Sequence, residues 1–155
     1  MLDLGCGRGA VLTSAARLVP GGRAVGVDLW RSVDQSGNDP AGSRANAGAE
    51  GVAVDLLTGD LRALPVRTGA VDVVVSSLAI HNIPDERGRL SAVGEAYRVL
   101  RPGGRLVVAD FRHARRYAEE LTRLGCTDVR VRGLGWRFWY GGPWASTAAV
   151  TATRP

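Results

Sequence analysis

Apolar positions fall along this chain in short blocks whose spacing alternates between strand-like and helical. Leu2 and Leu4 flank Asp3 as the end of a strand. Residues 8–19 then place Val11, Leu12, Ala15, Ala16, Leu18 and Val19 mostly at helical spacing, and Pro20, Gly21 and Gly22 stop that helix. RAVGVDL (23–29) predicts a strand ending in an acid, followed by a polar loop over 30–39. Asp39 and Pro40 suit the N-cap and first position of a helix reaching about Glu50. GVAVDLL (51–57) predicts the next strand, with a turn at Thr58, Gly59 and Asp60.

VDVVVSSLAI (71–80) is a continuous apolar run, the kind buried on both faces of a parallel sheet. Pro84 and Asp85 begin a helix whose stripe is Leu90, Val93, Tyr97 and Leu100, ended by RPGG. RLVVADF (105–111) predicts another buried strand, and 114–124 a helix closed by Gly125. TDVRVRGL (127–134) and WASTAAVTATR (144–154) are β-rich. This alternation predicts a doubly wound α/β sandwich. Such sheets bind ligands at the carboxyl ends of their strands. Candidate residues therefore lie in 3–9, 28–31, 58–61, 76–82 and 110–113.

Length and composition narrow the class. A chain of 155 residues, 45% hydrophobic, is one domain able to bury a core. Its apolar runs fall well short of the roughly 20 residues that span a bilayer, and Asp3 and Arg8 break the first one, unlike a signal peptide. Cys6 and Cys126 are the only cysteines, so free thiols and a reducing, cytoplasmic setting are expected. The net charge of +5 would suit a polyanion. All twenty basic residues are arginines, however, and they are scattered, which argues against nucleic acid as the partner.

The chemistry concentrates in LGCGRG (4–9). Gly5, Gly7 and Gly9 let a ligand approach the backbone, and the helix that follows offers free N–H groups. A dinucleotide site would share this geometry, and Asp28 would serve either ligand. Asp3, next to the loop, opposes a pyrophosphate and favours a cation. With Asp60 it makes three carboxylates along one edge of a net-basic chain. S-adenosylmethionine matches them with a sulfonium, an ammonium, a ribose diol and an adenine amine.

LDLGCGRG (2–9), VGVDL (25–29), TGDLRALP (58–65), VDVVVSSLAIHNI (71–83) and EAYRVLRPGGRLVVAD (95–110) together resemble the class I S-adenosylmethionine-dependent methyltransferases, of the small-molecule type. The resemblance implies a Rossmann-like sheet of seven strands in the order 3-2-1-4-5-7-6, the last antiparallel. It implies S-adenosylmethionine as cofactor and S-adenosylhomocysteine as product. Asp3, Gly5, Cys6 and Gly7 would border the methionyl end. Asp28 would take both ribose hydroxyls, with Leu29 in the same cofactor-binding set. Asp60 and Leu61 would meet the adenine edge, and Ser76 and Ser77 the methionyl amine through their backbone. No metal is expected. Family members carry helices upstream of the first strand, so residues 1–155 read as a single core domain without that cover.

The expected reaction is in-line methyl transfer to a small molecule. No Asn/Asp-Pro-Pro-Tyr or Pro-Cys follows the fourth strand to suggest a nucleobase. His81 is the candidate catalytic base, with a cap for the helix after Pro84 as its structural alternative; His113 is a weaker candidate. GWRFWYGGPW (135–144) holds five of the nine aromatics, as packing between the last two strands, an acceptor wall or a homo-oligomer interface. Two rival classes stand beside this reading. A short-chain nicotinamide oxidoreductase would need a Tyr-x-x-x-Lys pair, and the chain has no lysine. The other is a non-catalytic cofactor-binding module or partner subunit.

Overall fold

The strand–helix alternation closes into one seven-stranded sheet ordered β3-β2-β1-β4-β5-β7-β6. The structure, a computed structural model, describes residues 1–33, 36–139, 142 and 144–155. The strands are β1 (Leu2–Leu4), β2 (Val25–Asp28), β3 (Asp55–Thr58), β4 (Val71–Ser77), β5 (Leu100–Asp110), β6 (Thr127–Gly133) and β7 (Ala148–Thr153). Pairing is parallel from β3 through to β5, and β7 runs antiparallel to both β5 and β6. The helices are α1 (Ala10–Ala16), α2 (Pro40–Ala49), α3 (Glu86–Val99) and α4 (Ala114–Arg123).

Helices α3 and α4 pack on β5, β6 and β7, while α1 meets β1 and α2. The larger core joins Leu2, Leu4, Val74, Leu106, Val108 and Val150 to Val93, Ala96, Tyr117 and Leu121 from α3 and α4. A smaller cluster of Cys6, Leu12 and Ala24 lies under α1, with Trp30 and Leu56 against it.

The ends of the elements depart from the sequence pattern for local reasons. The helix expected over 8–19 is confined to α1, because Gly9 stands at φ 86° in front of it and residues after Ala16 turn out. β3 starts at Asp55 rather than residue 51, since its partner β2 pairs only from Val25 onward. β4 stops at Ser77: Leu78 takes φ 53° and leads the chain into a short 3₁₀ turn, Ile80–Asn82. The RPGG segment does not end a helix but lies in β5, whose Leu100 already pairs with Val71. The buried stripe of α3 is Ala92, Val93, Ala96 and Val99, while Leu90 and Tyr97 are only half-buried. The Asp39 cap falls where expected, accepting from Gly42 N–H at 2.7 Å, and Asp85, expected within the start of α3, is its N-cap, accepting from Gly88 N–H at 2.7 Å.

Candidate cofactor site

The parallel register brings the carboxyl ends of β1, β2 and β4 together with the turn after β3. They surround a cavity of about 590 Å³, the size of a small-molecule site. Asp3, Gly5, Cys6, Gly7, Asp28, Leu29, Asp60, Leu61 and Ser77 all line it. Ser76 does not. Its buried hydroxyl donates to the Leu4 carbonyl at 2.9 Å, tying β4 to β1, because adjacent strand residues face opposite ways.

The loop is shaped by its neighbours. Gly5 sits at φ 70°, and a Cβ there would lie 2.3 Å from the Ala79 Cβ, so only glycine lets the segment after β4 close onto the loop. The Cys6 thiol fills space above Gly26, where a Cβ would stand 2.6 Å from its sulfur. Burial, then the charges of Asp3 and Asp28, push that thiol upward in pKa, which leaves it an inert packing group.

The three carboxylates differ sharply. Asp3 is 1% exposed, and its Oδ2 has no hydrogen-bond partner. Desolvation, then the nearby Asp28, raise it from 3.8 to about 7, against one backbone hydrogen bond from Leu12. Asp28 accepts from Gly7 N–H (2.9 Å), Trp30 N–H (2.7 Å) and the Asn38 amide (3.1 Å). A carboxylate has about four acceptor directions, so two ribose hydroxyls fit only if one of these donors yields. Asp60 is held by Arg62, whose Nη2 lies 2.6 Å from Oδ2 and whose backbone N–H donates to Oδ1 at 2.8 Å. That guanidinium holds the Asp60 carboxyl below its usual range. An adenine amine would have to share Asp60 with it.

Trp30 is turned away from the cavity lining: its indole donates to Thr58 Oγ1 at 3.0 Å, and the ring packs on the Cys6 cluster. His81 does not line the cavity either, although Ala79 and Asn82 on both sides of it do. Its ring packs edge-on to Phe111, centroids 4.5 Å apart, with Nδ1 2.9 Å from Asp110 Oδ1. It is not a side-chain cap for α3; Asp85 fills that place. His113 precedes α4 at φ 62°, with partial desolvation and the Arg89 guanidinium lowering its pKa.

The aromatic stretch does not form packing between the last strands. Trp136, Phe138, Trp139 and Trp144 are exposed, and Trp139 forms an isolated antiparallel bridge with Ser146. Tyr140, Gly141 and Pro143 of that stretch lie outside the described residues, as do Asp34 and Gln35 of the predicted polar loop.

Asn38 and Arg62 were not singled out by the sequence pattern, whereas Asp110 fell within the candidate range 110–113. Asn38 and Arg62 sit in loops without periodicity. Asp110 stands at a strand's carboxyl end, the one signal that pointed to it. Among the described residues no group of three or more His, Cys, Asp or Glu side chains is placed to hold a metal, and no helix is long and apolar enough to cross a membrane.

Residues 2–108 match the methyltransferase domain family. The chain is 39% identical over 114 residues to a ubiquinone/menaquinone biosynthesis C-methyltransferase of Dinoroseobacter shibae, covering 72% of this chain and 42% of the relative. It is 42% identical over 108 residues to the nocamycin O-methyltransferase of Saccharothrix syringae, covering 68% of this chain and 35% of the relative. It thus spans less than half the length of either relative. Its fold superposes with a TM-score of 0.74 on a SAM-dependent methyltransferase from Aquifex aeolicus, at 18% identity, covering 99% of this chain and 81% of that one.

Proposed function

Since the chain belongs to the class I S-adenosylmethionine-dependent methyltransferases, we propose that it transfers a methyl group from that cofactor to a small-molecule acceptor. The observation that carries this reading is the buried Asp3, whose Oδ2 has no hydrogen-bond partner, in the lining of a cavity that also holds Asp28 and Asp60. A buried carboxylate without donors is costly unless a ligand supplies one. A cationic ligand does so and draws the proton off Asp3 as it binds.

The cofactor supplies an electrophilic methyl group on a sulfonium. In this reading Asp3 and the Gly5–Gly7 loop hold the charged methionyl end, Asp28 the ribose, and Asp60 with Leu61 the adenine. Ser77 borders the methionyl end, and Ser76 contributes by fixing β4 against β1. The acceptor approaches from the side of Asn82 and Ile83, which also line the cavity. Positioning donor and acceptor in line supplies much of the acceleration. The relatives' names point to small acceptors, carbon in one and oxygen in the other. Gly133, Ala148 and Asp110 lie in one row at the same sheet edge, and the exposed Trp136 and Phe138, a few residues beyond Gly133, supply an acceptor wall in this reading.

Calorimetry with S-adenosylhomocysteine tests the assignment. Asp28→Ala should weaken binding by about 1–3 kcal/mol, the loss of charge-assisted hydrogen bonds. Unchanged affinity in the folded variant, or tighter binding of NAD by the wild type, would overturn it.

A further inference from the structure

We propose that Asn38 shares the cofactor's ribose with Asp28, accepting one hydroxyl on its amide oxygen while Asp28 accepts the other. The proposal rests on the methyltransferase reading and departs from what the family resemblance implies for Asp28, which is both hydroxyls.

Asp28 has little acceptor capacity left. Its Oδ1 receives Trp30 N–H at 2.7 Å and the Asn38 amide at 3.1 Å. Each carboxylate oxygen has about two lone-pair directions, so Oδ1 is filled. Oδ2 receives Gly7 N–H at 2.9 Å and keeps one direction open. With all three donors in place, Asp28 has room for one hydroxyl. The second hydroxyl of a vicinal diol needs another acceptor beside it. Neighbouring side chains of the cavity lining do not offer one: Leu29 is apolar, and Arg31 carries only donors.

Asn38 supplies that acceptor. It is 7% exposed, and it lines the same cavity as Asp28. Its amide nitrogen uses both protons, on Asp28 Oδ1 and on the Arg31 carbonyl at 3.4 Å. Its Oδ1 is buried and has no hydrogen-bond partner. Turning the amide over would set its oxygen against two other oxygens, so the network itself fixes which atom is left without a partner. A buried amide oxygen lacking a donor is unfavourable, and a ligand hydroxyl held at Asp28 relieves it. The open groups at this corner are therefore acceptors only, which suits a diol and opposes a phosphate.

The backbone sets the amide there in advance. Trp30, at φ 57°, turns the chain out of β2, and Asn38 immediately precedes Asp39, the N-cap of α2. That helix is tied to the glycine loop. The Asn46 amide donates to the Arg8 carbonyl at 2.9 Å, and a Cβ at Gly9 would stand 2.9 Å from Ser43 Oγ. One helix thus braces the loop with Ser43 and Asn46 and presents Asn38 at the Asp28 corner. A side chain already held by two hydrogen bonds loses little freedom when the ligand arrives.

Calorimetry with S-adenosylhomocysteine and its 2′-deoxy and 3′-deoxy forms tests this division. The wild type should bind one analogue about 10–100-fold more weakly than the parent and the other about 3–10-fold more weakly, because a carboxylate is a stronger acceptor than an amide. Asn38→Leu keeps bulk beside Asp28 Oδ1 but carries no oxygen. It should bind S-adenosylhomocysteine about 3–10-fold more weakly than the wild type does. It should also bind the parent and the second analogue within about twofold of each other, while the larger penalty for the first persists. A merely structural Asn38 would lower affinity for all three ligands alike. An Asn38→Leu protein that keeps both penalties overturns the proposal. A crystal structure of the wild type with S-adenosylhomocysteine decides the matter whether or not the variant folds. One ribose oxygen should lie within about 3.2 Å of Asn38 Oδ1, and both hydroxyls on Asp28 would overturn the proposal. Failure of the wild type to bind S-adenosylhomocysteine at all would instead remove the methyltransferase reading beneath it.

Discussion

Asp3, in the middle of β1, and Asp110, at the end of β5, belong to the same sheet and each is 1% exposed, yet they are held in opposite ways. Asp110 accepts from two backbone N–H groups, those of Phe111 and His81, one on each oxygen, with the His81 ring beside it. Asp3 keeps one oxygen bare in the cavity wall, close to the charge of Asp28. Equal burial therefore does not mean an equal role. A carboxylate whose donors come from the protein is part of the scaffold that positions its neighbours. One whose donors are missing is prepared for a ligand that brings them.

Removing each acid is the strongest way to test that contrast. Asp110→Ala strands the N–H groups of His81 and Phe111 without an acceptor and should cost on the order of 2–4 kcal/mol in urea unfolding. Asp3→Asn should leave the stability of the unliganded protein unchanged or improved at neutral pH. Equal losses in the two variants would break the comparison.

Ligand affinity should reverse the ranking. Asp3→Asn should weaken S-adenosylhomocysteine binding by roughly 10–100-fold in calorimetry, the scale of a charge-assisted contact to its ammonium. A folded Asp3→Asn protein with wild-type affinity would show that Asp3 serves packing alone.

The raised pKa of Asp3 sharpens the contrast through pH. The folded state holds a proton up to about pH 7, whereas the unfolded chain releases it near 3.8. Between those values the folded state binds more protons. Its stability from this group is greatest at the acid end and declines as pH rises, by up to roughly 1.4 kcal/mol per unit. The difference in unfolding free energy between wild type and Asp3→Asn should follow that slope and flatten above about pH 7. Binding of the ammonium ligand to the wild type below pH 7 should also release a proton, measurable by calorimetry in buffers of different ionisation enthalpy. No proton release would place the titration elsewhere.

The smallest effect concerns Asp60, an acid between the two extremes because its donor is the half-exposed side chain of Arg62. If Arg62 competes with the adenine amine, Arg62→Ala should tighten S-adenosylhomocysteine binding by about two- to threefold. Weaker binding would make Arg62 a direct contact instead.

Much of this fold was legible from spacing. The parallel core strands were readable as apolar runs, and the cap Asp39 as an acid set just before a helical pattern. Asp3 in β1, Asp28 at the end of β2 and Asp60 after β3 stood out because each lies beside a glycine loop, ends an apolar run or sits in a turn. The boundaries that slipped, at Gly9, Asp55 and Ser77, depend on positive φ angles or on where a neighbouring strand begins, and periodicity carries neither. Of the three roles open to the aromatic stretch, packing between the last strands is the one that its composition suggested and the exposure of Trp136, Phe138, Trp139 and Trp144 excludes.

The sequence by itself determined the order of elements, the glycine loop after β1 and which strand ends carry carboxylates, because these follow from local propensity and the two periods of backbone geometry. The tertiary structure alone decided what each carboxylate touches. Gly7 reaches Asp28 across 21 residues, and His81 reaches Asp110 across 29. Those meetings depend on sheet register and on the left-handed residues Trp30 and Leu78, which redirect the chain at the sheet edge. Side-chain partnership is a property of three-dimensional neighbours, and so the difference between a fixed charge and one awaiting a ligand emerges only when the strands are laid side by side.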